Sequence, residues 1–138
     1  MFRVECRTVD GEVTALGWAG PHTVVIDRPV EGGGGGRGFN GGQLLHLAVA
    51  GCISNDLFRE AAGRGLTLRR VVVTVDGDFA GDPAVSTGIT YDVEVDGDGP
   101  PADLDALVRH VDAIAEIPNS LRNGTEVRLG AATVSSGS

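Results

Sequence analysis

A run of ten residues near the middle of the chain, Leu44 to Ile53, contains a single strongly polar side chain, His46. The run is too short to span a bilayer, which takes about 20 apolar residues, and a helix that is apolar on every side is a buried one. Downstream the pattern becomes amphipathic, and Gly63 supplies a stop signal. The sequence therefore predicts a helix from about Gly41 to Ala62, buried at its start and partly exposed at its end.

Cys52 lies in the middle of this predicted helix, and two interpretations of it stand side by side. An unpaired cysteine often behaves as a small buried hydrophobe. A reactive thiol needs a nearby cationic group or a helix N-terminus to favour the thiolate. The residue one turn further on is Asp56, and its negative charge opposes ionisation of the thiol. The local sequence alone therefore favours the structural role.

Length and charge limit what the chain does. Its 138 residues predict one domain, 1–138, with room for a core. The net charge of −8 argues against nucleic acid or an anionic membrane as a partner. Every cationic side chain is arginine, which excludes a lysine Schiff base and a P-loop lysine. A composition rich in Gly, Ala, Val and Arg without Lys is associated with GC-rich bacterial genomes.

The cysteine and histidine content predicts no resident metal or cofactor. No tight cluster of these residues occurs, and two cysteines, Cys6 and Cys52, make no disulfide framework. The N-terminus shows no apolar signal segment, so the expected location is the reducing cytoplasm. Asp-Gly-Asp runs at residues 76–78 and 96–98 lack the glutamate that ends a calcium loop, and they indicate turns or strand ends.

The segment before the helix predicts three short antiparallel strands, at about Phe2–Val9, Glu12–Trp18 and His22–Asp27, joined by tight turns. Five consecutive glycines follow, Gly32–Gly36. They produce a formal GxGxxG match, but a glycine run satisfies many such patterns by chance, and no βαβ unit surrounds it. The glycines therefore indicate a flexible loop, with high mobility expected from Val30 to Phe39 unless a ligand or a partner chain fixes it.

The segment after the helix predicts two long strands, one helix and a last strand. Their ranges are Leu66–Phe79, Ser86–Val95, Ala102–Ile117 with Pro118 as its stop, and Thr125–Val134. Residues 119–122 are a candidate further turn. The order β-β-β-α-β-β-α-β, without regular βαβ alternation, is typical of an α+β domain.

This order, together with two short segments, resembles the OsmC/Ohr superfamily, the osmotically inducible C and organic hydroperoxide resistance proteins. Residues 40–44 read Asn-Gly-Gly-Gln-Leu where the family has Asn-Pro-Glu-Gln-Leu, and Cys52 follows at the distance of the family's first reactive cysteine. Residues 117–120 read Ile-Pro-Asn-Ser and are similar to the family's Cys-Pro-x-Ser. The similarity covers nearly the whole chain.

The resemblance implies an intertwined homodimer with the buried helices at its centre and reactive cysteines at the subunit interface. In the family, the first cysteine attacks a hydroperoxide and becomes a sulfenic acid, which the second cysteine resolves as a disulfide. An arginine and a glutamate assist the thiolate. Cys52 matches the first cysteine and is the candidate nucleophile.

Several expected parts of that machinery are missing from the sequence. Ile117 stands in place of the second cysteine, Gly42 in place of the glutamate, and Gly41 in place of the proline. Arg28 and Arg37 are candidates for the assisting arginine by proximity alone, and nothing in the motif makes Cys6 a resolving residue. Ordinary two-cysteine turnover is therefore expected to be absent.

Three hypotheses follow from this pattern. The chain is a one-cysteine organic hydroperoxide peroxidase recycled by an outside thiol; or it runs another reaction at the same pocket, with Cys52 or His46 repurposed; or it binds an apolar small molecule without chemistry. A hydrogen-bonded histidine at a helix start is the favoured interpretation of His46. The candidate binding residues around Cys52 are Arg37, Gln43, His46 and Asp56.

Overall fold

The computed structural model describes residues 1–137 and has the predicted α+β architecture, with two antiparallel sheets and three helices. The elements, in chain order, are β1 Val4–Thr8, β2 Ala15–Ala19, β3 His22–Ile26, α1 Gly41–Gly63, β4 Thr67–Ala80, β5 Val85–Asp98, α2 Pro101–Ile114 and α3 Glu116–Arg122. A single 3-10 turn, Val30–Gly32, lies between β3 and α1. No helix among residues 1–137 is long and apolar enough to cross a membrane.

The N-terminal strands form the predicted meander. β1 pairs with β2 from Val4 opposite Ala19, and β2 pairs with β3 from Ala15 opposite Ile26. Gly20 adopts a positive φ of 59° in the second turn, a conformation that glycine reaches without strain. In the described part of the chain, this sheet makes no extensive packing contact with the helices or with the second sheet.

The second sheet is a long hairpin of β4 and β5, 14 residues each. Its ladder runs from Thr67 opposite Asp98 to Ala80 opposite Val85. The first Asp-Gly-Asp run, 76–78, lies near the end of β4 and forms no turn, since Gly77 pairs with Ile89. The second run does coincide with the end of β5.

The core lies between one face of this hairpin and helices α1 and α2. Its buried members are Ile53, Leu57, Ala61, Leu107, Val111 and Ala115. Alternate residues of β4 and β5, including Val73 and Val93, pack against it, as expected for strands with one face covered. Full burial of a side chain such as Leu57 stabilises the fold by about 1.5–3 kcal/mol.

The helix α1 has the predicted limits, but in the single chain its second half is more buried than its first half, which is the reverse of the prediction. Leu47, in the apolar first half, is 50% exposed, whereas Leu57, in the second half, is fully buried. The reason is geometric: the hairpin and α2 cover only one side of α1, and nothing among residues 1–137 covers the other side of its first half.

The C-terminal region departs from the prediction in two places. Ala115 has an extended ψ of 122°, which ends α2 at Ile114, and Pro118 lies in the first turn of α3 instead of stopping α2. Proline is tolerated there because a first-turn N–H has no partner within the helix. The predicted strand Thr125–Val134 is absent. A strand needs a neighbour to pair with, and no other segment of residues 1–137 pairs with this one.

Candidate functional site

Helix α1, which carries Cys52, begins with a complete capping box. The Asn40 side-chain oxygen accepts from the Gln43 amide at 2.9 Å, and the Gln43 side-chain oxygen accepts from the Asn40 amide at 2.9 Å. These bonds satisfy two backbone donors that the first turn otherwise leaves open. Gln43, predicted as a binding residue, thus uses its carbonyl oxygen in the cap, away from the thiol.

Cys52 lies on one stripe of α1 with two charged residues, Asp56 and Arg59, four and seven positions further on. The Cys52 thiol points at the Asp56 carboxylate, with Sγ 4.0 Å from Oδ2. Asp56 is 8% exposed, and its other oxygen, Oδ1, lies 3.2 Å from Arg59 Nη1. Of the four predicted binding residues, Asp56 is the one that contacts the thiol.

The charged groups continue from Arg59 to helix α2. Arg59 Nε lies 3.5 Å from Glu60 Oε2, and Glu60 Oε1 lies 2.7 Å from His110 Nε2. The hydrogen bond from His110, followed by Arg59, holds the pKa of Glu60 below its ordinary value. His110 therefore links α2 to the charged end of the Cys52 stripe.

His46 is held by the backbone and makes no contact with Cys52. Its Nδ1 lies 2.5 Å from the Gly42 carbonyl oxygen; because a carbonyl only accepts, Nδ1 carries the proton. Nε2 is buried and has no hydrogen-bond partner among residues 1–137. It faces Gly77 of β4, where a β-carbon would overlap it. The ring meets Phe79 edge-on, with centroids 6.0 Å apart. This geometry is the hydrogen-bonded histidine at a helix start that the sequence favoured.

The glycine-rich loop is organised by a buried carboxylate, Asp27, which is 3% exposed. It accepts from Thr14 Oγ1 at 2.7 Å and from the amides of Arg28, Gly35 and Arg37 at 2.8, 3.1 and 3.2 Å. The Thr14 hydroxyl, followed by the Arg28 amide, lowers the pKa of Asp27 to about 2. Sequence reasoning missed this residue, although an aspartate between an apolar strand and a glycine run was a usable signal.

The same cluster places Arg37 and explains the glycines. The Arg37 side chain is exposed and lies 3.7 Å from Glu12; like Arg28, it makes no contact with Cys52. Gly34 passes so close to the Arg28 carbonyl oxygen that a β-carbon would overlap it. Because Asp27 occupies the amides of Gly35 and Arg37, these amides are not free for a phosphate. The expected mobility of the loop stays a prediction.

A cavity of about 220 Å³ opens between β5, α1 and α3. Its apolar lining comes from Val49, Ile89, Pro118 and Leu121, and its polar lining residues are Ser86, Tyr91 and Arg122. Val49 precedes Cys52 by one helical turn, so the cavity brings the Ile-Pro segment of α3 next to the same part of α1. Cys52 itself is not in the lining.

Asp112 of α2 contacts two of the polar residues that line this cavity, Tyr91 and Arg122. It accepts from the Tyr91 hydroxyl, and its Oδ1 lies 2.7 Å from Arg122 Nη2. Burial, followed by the bond to Asp112, raises the pKa of Tyr91 to about 12. The Tyr91 bond, followed by Arg122, lowers the pKa of Asp112. This cluster was also missed, since its members lie on three elements and follow no local pattern.

The structure brings no second thiol to Cys52. Both cysteines are free, and Cys6 is exposed on β1. Ile117 fills the second-cysteine position in α3, and a side chain at Gly42 would press against Phe79, with its β-carbon 3.1 Å from the ring. Within residues 1–137, no three His, Cys, Asp or Glu side chains converge as metal ligands would.

Comparison with known proteins identifies relatives of this arrangement. A family model described as OsmC-like protein matches residues 33–130, whereas no curated protein sequence matches significantly. An OsmC-like protein from Mycoplasma pneumoniae has a similar structure at 14% identity, with 90% of this chain and 89% of that one covered and a TM-score of 0.77.

Two further structures share the fold. One is the organic hydroperoxide resistance protein OhrB of Bacillus subtilis, at 17% identity, with 90% and 92% of the two chains covered and a TM-score of 0.61. The other, from Vibrio cholerae, has captopril bound in one of its active sites; it is 18% identical, with 90% and 85% covered and a TM-score of 0.60. The predicted resemblance and fold class are confirmed.

Proposed function

Because this chain belongs to the family of OsmC-like proteins, we propose that it is a thiol protein in which Cys52 reduces small organic hydroperoxides. The observation that carries this proposal is the half-buried Cys52 thiol directed at the Asp56 carboxylate, 4.0 Å away, with Arg59 on the far side. A thiol that shares a partly enclosed site with a proton acceptor and a cation has the groups that peroxide chemistry needs. The names of the structural relatives support the choice of hydroperoxide as substrate.

The chemistry proposed is that of a one-cysteine peroxidase. The Cys52 sulfur attacks the peroxide, a sulfur–oxygen bond forms as the oxygen–oxygen bond breaks, and a sulfenic acid and an alcohol result. Ile117 cannot resolve the sulfenic acid. Two thiols from an outside reductant must therefore return Cys52 to the thiol, releasing water and a disulfide. Two free cysteines fit a reducing compartment such as the cytoplasm.

We also propose that the working form is a homodimer. Leu47 and Phe58 of α1 are 50% and 49% exposed. Within residues 1–137, the N-terminal sheet makes no extensive contact with the helices or the second sheet. Monomers rarely leave large apolar areas open to water. A second copy is the occupant that the family resemblance implies for these surfaces.

The test is mass spectrometry of the intact protein after treatment with cumene hydroperoxide. We expect wild type to gain one oxygen that dimedone traps at Cys52, and Cys52→Ser to gain none. Cys6→Ser serves as the matched control and should react like wild type. An intramolecular Cys6–Cys52 disulfide at stoichiometric peroxide would overturn the one-cysteine scheme, and an unmodified Cys52 would overturn the peroxidase proposal.

The cavity beside α3 supports a second candidate function, binding of an apolar small molecule without chemistry. Its lining combines apolar residues with a few polar ones, Ser86, Tyr91 and Arg122, which is the usual make-up of a small-molecule pocket. Because Cys52 is outside that lining, Cys52→Ser should bind such a ligand as wild type does. Calorimetry with cumyl alcohol on both variants separates this function from the thiol chemistry.

A further inference from the structure

The arrangement of Cys52, Asp56 and Arg59 on one side of α1 gives the two charged residues roles in the chemistry of the thiol. We propose that Asp56 is the proton-transferring residue of the Cys52 site and that Arg59 is the positioning residue that compensates its charge. This inference rests on the proposed function. Asp56 and Arg59, both on α1, would take the roles of the glutamate and the arginine that the sequence lacks at the expected positions.

The geometry gives Asp56 access to the reacting atom. Its Oδ2 accepts from the Cys52 thiol across 4.0 Å, which is a long hydrogen bond even for sulfur. The carboxylate is 8% exposed, so water competes little for it. Four residues of helical spacing place the two side chains on the same face, and the contact therefore needs no rearrangement of the backbone.

Arg59 offsets the negative charge by which Asp56 would otherwise disfavour the Cys52 thiolate. An isolated carboxylate beside a thiol disfavours the thiolate. Arg59 Nη1 lies 3.2 Å from Asp56 Oδ1, so the pair is formally neutral. When the thiol proton moves to Asp56, the arginine charge is left to balance the thiolate, and the total charge of the three groups is unchanged.

Several charged side chains near the stripe and on the next strand have contacts of their own. Glu60 lies between Arg59 and His110 of α2. On β4, which packs against α1, Arg69 pairs with Asp96 and Asp98, and Arg70 pairs with Glu94. In the described chain, Arg59 is thus the cation that contacts Asp56.

The proton follows a closed path through Asp56. The carboxylate takes the proton from the thiol, and the thiolate attacks the terminal oxygen of the hydroperoxide. As the oxygen–oxygen bond breaks, its electron pair leaves with the alkoxide, and protonated Asp56 delivers the proton to that alkoxide. The products are the Cys52 sulfenic acid and an alcohol, and the Asp56 carboxylate is restored.

Two probes that differ in their leaving group test this proposal in a Cys6→Ser background. Cumene hydroperoxide releases an alkoxide that needs a proton, whereas iodoacetamide releases iodide, which needs none. We expect Asp56→Asn to lower the peroxide rate on the order of a hundredfold and to change alkylation far less. Water can take the thiol proton in both reactions, but the alkoxide then lacks its proton donor. Asp105→Asn, which breaks an exposed Asp–Arg pair on α2, is the matched control and should leave both rates unchanged. Equal acceleration of both reactions in Asp56→Asn would show that Asp56 is merely an adverse charge and would overturn the proposal.

Arg59 supplies a second test that does not depend on the folding of the Asp56 variant, because its side chain is largely exposed. Arg59→Gln leaves the carboxylate uncompensated, so the pH profile of Cys52 alkylation should move to higher pH, while Arg59→Lys should largely restore it. An unchanged profile in Arg59→Gln would overturn the positioning role. If wild-type Cys52 alkylates normally but ignores the hydroperoxide, the proposed function and proton delivery by Asp56 both fail, and the profile still decides the role of Arg59.

Discussion

Two single residues, Asp27 and His46, hold segments that are far apart in the sequence. Asp27 gathers Thr14 and two loop amides, and His46 joins the start of α1 to β4 through its close approach to Gly77. The buried Asp27 carboxylate is held by hydrogen bonds, whereas His46 Nε2 is held by packing against β4. These two residues therefore stabilise the packing between elements and take no part in the proposed chemistry at Cys52.

Asp27 should make part of the stability depend on pH in the acid range. Its folded-state pKa is about 2, below the ordinary value of about 3.9. A lowered pKa means that its contribution is fully present above about pH 4 and is lost as the pH falls toward 2. We expect the urea midpoint of wild type to fall over this window more steeply than that of Asp27→Asn. Thr14→Val, which removes the largest cause of the shift, should lie between them; identical slopes for wild type and Asp27→Asn would contradict this.

Gly77 should be intolerant of even one extra carbon. A β-carbon at this position overlaps His46 Nε2, so Gly77→Ala is expected to lower the free energy of unfolding by about 1–3 kcal/mol. His46→Ala removes the obstacle, and the double variant should recover part of that loss in a double-mutant cycle. Simple additivity of the two changes, measured by urea denaturation, would show that the ring and the glycine do not interact.

Elements defined by local signals were predictable from the sequence, and those defined by partners were not. The limits of α1 follow from the Asn40–Gln43 cap and the terminal glycines, all within the helix or beside it. A last strand was predicted over residues 125–134, but a strand-like sequence does not supply a pairing partner. The Asp27 and Tyr91 clusters depend on contacts between residues distant in sequence, which no local pattern encodes.

The packing of α1 on the hairpin should depend most on Leu57. It is fully buried in the core, so Leu57→Ala is expected to cost about 2–5 kcal/mol of unfolding free energy. Leu121→Ala removes the same atoms from a side chain that is 38% exposed and should cost clearly less. Chemical denaturation of both variants measures the difference, and equal losses would contradict the placement of the core.

In the single chain, many large apolar side chains outside the core are exposed to solvent. The first half of α1, the N-terminal sheet and the tail after α3 all carry exposed apolar side chains, such as Leu47, Val24 and Leu129. These surfaces lie on three separate parts of the chain, so one small ligand cannot cover them. A second chain can, and this is why the homodimer belongs to the proposed function.

A charge at Leu47 should weaken that dimer. We expect light scattering at micromolar concentration to give a dimer mass for wild type and a lower mass for Leu47→Glu, because a buried unpaired carboxylate is costly. Ala106→Glu, on the exposed side of α2, adds the same charge away from α1 and should remain dimeric. A monomer mass for wild type would rule out the dimer.

The bond set of Asp27 also has a consequence for how the chain tolerates change. The carboxylate accepts from the amide of Arg28 on one side of the 3-10 turn and from those of Gly35 and Arg37 on the other. It therefore closes residues 29–34 into a loop, and the side chains of residues 29–34 take no part in these bonds. Lengthening such a loop costs only about 0.6 kcal/mol per doubling. Residues 30–33 are therefore a site where a foreign peptide can be inserted while the strand before it and the helix after it keep their positions.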